Sequence, residues 1–187
     1  MRYAPEHKQR TRERIVEAAG RVFRRQGFTG ASVERVMGRA GLTVGGFYAH
    51  FSSKRALLVA ALRGLMAERA RRAAAVVEGL RGPAALRAFA KAYVDANTDA
   101  AKPGEGCPVV PVLSELARAD PRMRAAFAEE LEGLVGTLAG AAGGRDARAQ
   151  ALRTIATCFG GIAIARATRA TALSEEVIAA CRRARGA

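Results

Sequence analysis

Residues 32–55 run Ser-Val-Glu-Arg-Val-Met-Gly-Arg-Ala-Gly-Leu-Thr-Val-Gly-Gly-Phe-Tyr-Ala-His-Phe-Ser-Ser-Lys-Arg. Their order predicts two short helices joined by a tight turn. Ser32 is a suitable N-cap, because its hydroxyl can accept from an orphan amide of the first turn. Val33, Val36, Met37 and Ala40 recur at helical spacing and make one apolar face. Gly41 stands where a left-handed residue commonly ends a helix, and Leu42 can pack back into the core. Thr43 is placed to cap a second helix carrying Val44 to His50. Phe47 and Phe51 lie four apart, so they share a face and anchor that helix inward.

Two helices around a short glycine-containing turn form the DNA-binding helix-turn-helix, whose second helix enters the major groove. With both phenylalanines inward, Val44, Gly45 and Tyr48 point outward. The phenol of Tyr48, the imidazole of His50 and the ammonium of Lys54 suit phosphate oxygens. The base-reading surface is nearly blank. Val44 offers methyl groups, and Gly45 and Gly46 offer only backbone and close approach. Sequence preference must then draw on Arg35 or Arg39 of the first helix, on a basic N-terminal arm that includes Arg12, or on DNA shape. Two amphipathic helices around a glycine also occur in all-α proteins that never touch DNA, so the flanking residues decide.

Those residues resemble the TetR/AcrR family of transcriptional regulators. The matching positions are Arg14 to Ala19, Phe23, Gly27-Phe28, Ala31-Ser32-Val33, Ala40 to Thr43, Gly46 to Phe51 and Ser53 to Leu58. They span about the first third of the chain and end in Tyr-x-His-Phe-x-x-Lys. The resemblance implies phosphate roles for Tyr48, His50 and Lys54, and base or groove contacts from Thr43, Val44, Gly45 and Gly46. Ser32, Arg12 and Arg39 complete the expected DNA-binding set. Beyond about residue 60 the resemblance implies an architecture but no ligand.

Charge points the same way. The net charge is +14 and the pI near 11.2, which suits a polyanionic partner. Residues 1–55 hold 12 Lys/Arg against 4 Asp/Glu, while the remaining 132 residues hold 19 against 13. Lys8, Arg10, Arg12 and Arg14 lie ahead of or at the start of the first helix, where an arm can follow the backbone or enter the minor groove. A solvated arginine-rich face is the alternative, and it suits the C-terminal excess better than the arm. The start carries no secretory leader pattern, and no apolar run is long enough to span a bilayer. Three widely spaced cysteines make no disulfide framework. A cytoplasmic protein is expected.

Punctuation cuts the remainder into six helices: Ser53–Leu80, Ala84–Ala101, Cys107 to before Asp120, Arg122–Ala142, Asp146–Thr168 and Ser174–Arg185. The expected fold is therefore all-α, with about nine helices. An N-terminal three-helix helix-turn-helix domain takes residues 1–55, and a C-terminal helical ligand-binding and dimerisation domain takes residues 56–187. Ala151, Ile155, Cys158, Phe159 and Ile162 form a broad apolar face, and Val177, Ile178 and Cys181 a matching one. Gly160-Gly161 costs about 1 kcal/mol per glycine in mid-helix, which close approach of another helix can offset. Ala151, Ile155, Cys158, Ile162, Val177, Ile178 and Cys181 are expected to pair with their symmetry mates in a homodimer; burial within one chain is the alternative. A dimer is favoured because two-fold dimers bind two half-sites.

The middle helices would enclose an effector pocket lined by Phe89, Tyr93, Val110, Leu113, Phe127, Leu131, Phe159 and Ile162, although such residues also make ordinary core. Cys107 has two readings. Before Pro108 it is a plausible N-cap, where the dipole favours a reactive thiolate. Otherwise it is a small buried apolar residue. No catalytic constellation, metal spacing or cofactor loop appears, since both histidines, His7 and His50, lie in the head. The chain reads as a ligand-responsive regulator binding a pseudo-palindromic double-stranded operator, a repressor released by a small apolar or electrophilic effector. The rival is an architectural DNA-binding protein without effector.

Overall fold

Caps, glycines and prolines divide the chain into its elements. The structure, a computed structural model, describes residues 5–98, 107 and 109–183. Among these residues there are eight α-helices, one 3₁₀ segment and no strand. The helices are α1 (Pro5–Gln26), α2 (Val33–Arg39), α3 (Lys54–Val77), α4 (Gly82–Thr98), α5 (Val109–Ala117), α6 (Pro121–Ala142), α7 (Ala147–Ala167) and α8 (Ala172–Arg182); the 3₁₀ segment is Val44–Ala49. Ser32 Oγ accepts from Arg35 N at 3.2 Å and opens α2, and Ser53 Oγ accepts from Ala56 N at 3.1 Å and opens α3. Asp120 caps α6 by accepting from Arg122 N and Met123 N at 3.0 and 3.2 Å, with Pro121 in the first turn. Gly41 ends the α2 region in the left-handed region, with φ +67°.

Three local expectations are corrected. The second helix of the helix-turn-helix is 3₁₀ rather than α, because adjacent Gly45 and Gly46 weaken α-propensity across so short a segment. Thr43 occupies the N-cap position, but its side chain makes no capping bond. The last helix opens at Thr171, whose Oγ1 accepts from Ser174 N at 3.3 Å; Ser174 turns inward and donates to Ala165 O at 2.9 Å. The expected loop 102–106, the end of α4 beyond Thr98, Pro108 and the last residues of the final helix lie outside the described residues.

The head packs Ile15, Ala19 and Phe23 of α1, Met37 of α2 and the Phe47 and Phe51 rings onto Leu57, Ala61 and Leu62 of α3, all buried. Farther along, α3 lies against α4 and α6. Helix α7 packs on α4, α5 and α6 and receives α8. A Cβ placed on Gly161 would meet Cys181 Sγ at 2.1 Å, so this glycine admits α8 of its own chain. Gly160 is exposed, with nothing within 4 Å of its Cβ position.

That packing shows where the expected dimer residues lie within one chain. Ala151, Ile155, Cys158, Ile162 and Cys181 are buried inside their own chain, while Val177 and Ile178 are half-buried against the same core. The close α7–α8 approach turns these faces toward each other instead of toward a partner.

One long-range tie joins head to body. The Glu115 carboxylate of α5 accepts from Phe28 N at 3.1 Å and from Thr29 N and Thr29 Oγ1 at 2.7 Å each. It sits against Gly27, whose φ is +68° and whose absent Cβ would lie 2.0 Å from Glu115 Oε1.

Gly161→Ala is expected to overpack the α7–α8 contact and cost about 1–3 kcal/mol in urea unfolding. Adding Cys181→Ala removes the atom met by the new methyl and restores part of that loss. Glu115→Ala is expected to cost about 1.5–3 kcal/mol and to speed hydrogen exchange at the Phe28 and Thr29 amides.

Candidate nucleic-acid interface and effector region

The turn is built so that one aromatic ring is swallowed and its neighbour presented. Phe47 is 0% exposed and Tyr48 74%. Their rings meet edge to face at 5.2 Å, and Phe47 stacks on Phe51 at 5.9 Å. Val44, Gly45 and Thr43 are exposed beside Tyr48, and Gly46 is half-covered, with its nearest neighbour, Met37 Cε, 3.9 Å from its Cβ position. Lys54 begins α3 at the far end of the segment. Ser32 has its hydroxyl engaged as the α2 cap, and Arg39 is exposed in the last turn of that helix. Arg35 instead turns back to Gln26 and to Gly30 O.

The basic residues near the N-terminus are helical, not an extended arm, because α1 already begins at Pro5. Helical spacing places Lys8 and Arg12 one turn apart, toward the end of the 3₁₀ segment. Arg12 lies over the Phe51 ring, with its guanidinium carbon 4.8 Å from the centroid. Burial, then the charges of Lys8, Arg12 and His7, hold the His50 pKa below the usual histidine value. His50 Nδ1 is buried without a hydrogen-bond partner. Together these residues make one positive surface alongside Tyr48.

Arg14 contributes something sequence spacing could not reveal. Its Nη2 donates to Ala40 O at 2.8 Å, satisfying the end of α2 across the head. Glu115 was equally illegible, because its partners are more than eighty residues away. A clue exists only in Gly27, which the carboxylate requires to lack a side chain.

In the body, Tyr93 links Phe89 and Phe159, at centroid distances of 5.8 and 5.5 Å. Cys107 is buried beside it, and its backbone N–H is held by Asn97 Oδ1. Ile162 is buried in the same continuous core, while Val110, Leu113, Phe127 and Leu131 pack against that core from α5 and α6, half-covered. A missed neighbour is Arg69, whose guanidinium carbon lies 4.7 Å from the Tyr93 ring centroid. A shallow cleft between head and body is lined instead by Phe28, Thr29, Lys54, Arg55, Glu115 and Asp120, among others. None of the nominated effector residues lines it.

All three cysteines are free and buried. Burial, then Cys181, pushes the Cys158 thiol up to about 12, and burial also raises Cys181. Neither is a thiolate near neutral pH. Among the described residues no group of three His, Cys, Asp or Glu side chains is placed to hold a metal ion, and no helix is long and apolar enough to cross a membrane.

The sequence profile of bacterial regulatory proteins of the tetR family matches residues 15–61. An uncharacterised HTH-type transcriptional regulator of Bacillus subtilis, YerO, is 38% identical over 50 residues, which are 27% of this chain and 17% of that protein. The chain thus spans under a fifth of that relative's length in the match. The fold is similar to that of a TetR transcriptional regulator from Chloroflexus aurantiacus, with a TM-score of 0.77 at 25% identity over 95% of this chain and 94% of that one. It is also similar to Escherichia coli NemR in its reduced form, with a TM-score of 0.79 at 21% identity over 92% and 95% of the two chains. The head is thus similar in sequence to the DNA-binding part of tetR-family regulators, and nearly the whole chain is similar in fold to solved regulators of that kind.

Proposed function

We propose that the protein is a cytoplasmic, homodimeric repressor that leaves a pseudo-palindromic operator when a small apolar or electrophilic effector binds its helical body. The observation that carries this reading is the pairing of a fully buried Phe47 with a Tyr48 that is 74% exposed, two residues before a His50 that feels the charges of Lys8 and Arg12. A side chain so presented, on a positive surface, suits a phosphate backbone. Tyr48, His50 and Lys54 hold phosphates in this reading, with Ser32, Arg12 and Arg39 at the margins. Thr43 to Gly46 approach the groove.

The division at residue 55 falls in the first turn of α3, and that helix serves as the mechanical link between a reading domain of residues 1–55 and an effector and dimer domain of residues 56–187. A second link is α5. Cys107 stands just before it and Glu115 near its end, nine residues of helix joining the effector region to loop 27–29. An electrophile captured by the free Cys107 thiol, or an effector seated against Phe89, Tyr93 and Phe159, would shift that helix and with it the head. DNA and effector are then reciprocally coupled.

The dimer uses the outer face of α7. Leu152, Ile164 and Leu173 are exposed large apolar residues, and Leu152, Ala156, Gly160 and Ile164 follow one row four residues apart. The small residues in mid-row allow a second α7 to approach closely.

Lys54→Ala is expected to weaken operator binding and to lower the slope of log affinity against log salt by about one per protomer. Tyr48→Phe is expected to weaken binding through the lost hydroxyl. Both are read by fluorescence anisotropy across a salt series, and unchanged affinity would remove the phosphate assignment. Ile164→Arg is expected to sediment as a monomer and to lose operator binding; an intact dimer would overturn the proposed interface.

A further inference from the structure

We propose that the effector is an organic anion, whose carboxylate sits among Arg24, Arg69 and the Tyr93 hydroxyl while its aromatic body lies against Phe89 and Phe159. This inference rests on the effector-responsive reading and narrows its ligand to an amphipathic one, apolar in its body and anionic at one end.

Two polar groups in this region are buried and unsatisfied. Tyr93 is 3% exposed, yet its Oη has no hydrogen-bond partner. The Cys107 thiol is the foremost electrostatic neighbour of the phenol. Burial, then the Cys107 thiol, pushes the Tyr93 pKa well above the usual phenol value, so its O–H remains a donor at neutral pH. Arg24, on α1, has its Nε buried and likewise without an acceptor.

Arginines predominate around Arg24. Burial, then Arg72 and Arg69, lowers the Arg24 pKa, and Arg21 adds to the effect. Arg21 is paired with Glu17, and Arg72 with Glu68. Among the described residues no carboxylate is paired with Arg24 or Arg69. Arg69 instead lies 4.7 Å from the Tyr93 ring centroid. Arg166 reaches the same neighbourhood from α7, donating to Cys107 O at 3.3 Å. Arg24, with a buried Nε that has no acceptor, and Arg69, held over the Tyr93 ring, both lack a paired carboxylate among the described residues, and an anion would satisfy both.

The donors define that anion. Two guanidinium forks suit the paired oxygens of a carboxylate, and a neutral phenol adds a third donor. The Phe89, Tyr93 and Phe159 rings pack on one another and are buried, so a ring attached to the carboxylate enters by parting them and gains aromatic contact on both sides. An uncharged ligand of the same shape would leave both arginines without a counter-charge.

The test uses 2-naphthoate and its neutral isostere 2-naphthamide, titrated into the full-length protein by calorimetry. Naphthoate is expected to bind about tenfold more tightly or better. Arg69→Gln and Arg24→Gln are each expected to shrink that preference to about threefold or less, while Arg69→Lys keeps more of it. Tyr93→Phe should weaken naphthoate more than naphthamide. Thermal melts of each variant establish that it is folded, and Arg69→Lys keeps the test open if Arg69→Gln is not. Equal binding of the two compounds, no naphthoate binding, or a preference that survives both glutamine variants would overturn the anion site. Arginine-dependent naphthoate binding that fails to release operator DNA would support the site and overturn the effector-responsive reading. Release by naphthamide alone would do the reverse.

Discussion

Burial of Phe47 is the constraint on which the rest depends. The segment around it is too short and too rich in glycine to hold a helix by propensity. It is fixed because Phe47 fills the space between α1, α2 and α3, stacked on Phe51. Once that ring is in place, Tyr48 has no course but outward, and Val44 and Gly45 are carried to the surface with it. The cost of exposing a large aromatic side chain is met within the head core, not by anything Tyr48 touches there.

In the proposed function, a head fixed so firmly responds to events in the body. Two connections are available, and they differ in kind. Helix α3 is a continuous rod, buried at its start among head residues and farther on against α4 and α6. The Glu115 carboxylate is a polar latch holding the loop before α2 by three hydrogen bonds. A rod transmits rotation, whereas a latch can be loosened by a small displacement, because hydrogen bonds weaken steeply with misalignment. The position of Cys107 at the other end of α5 gives a local change there a short path to the latch.

Much of this was legible in the sequence. The 3.6-residue periodicity, the caps at Ser32 and Ser53 and the breaks at Gly82-Pro83 and Asp120-Pro121 mark the helices, because each acts through neighbours a few residues away. The Phe47/Phe51 pair marked the inward face for the same reason. What stayed hidden depends on distant partners. Arg14 reaches Ala40 O, Glu115 reaches Thr29, and Arg69 covers Tyr93 without any local signature. The expected dimer face carries a subtler ambiguity. An apolar helical face and a glycine pair announce close packing but not whose helix arrives. Gly161 is filled by Cys181 of the same chain, and only the opposite side, with Leu152, Gly160 and Ile164, stays open. The 3₁₀ character of the reading segment was missed because its glycines were credited to DNA approach before their effect on helix type was weighed.

In the proposed function this head grips DNA as half of a symmetric pair, mostly through phosphates. A nuclease footprint on DNA selected by the full-length protein tests it most directly. The account predicts two protected half-sites related by a dyad, with centres spaced by a whole number of helical turns of about 10.5 base pairs. Uniform protection that spreads along any duplex without boundaries or symmetry would contradict it and would identify an architectural DNA-binding protein instead.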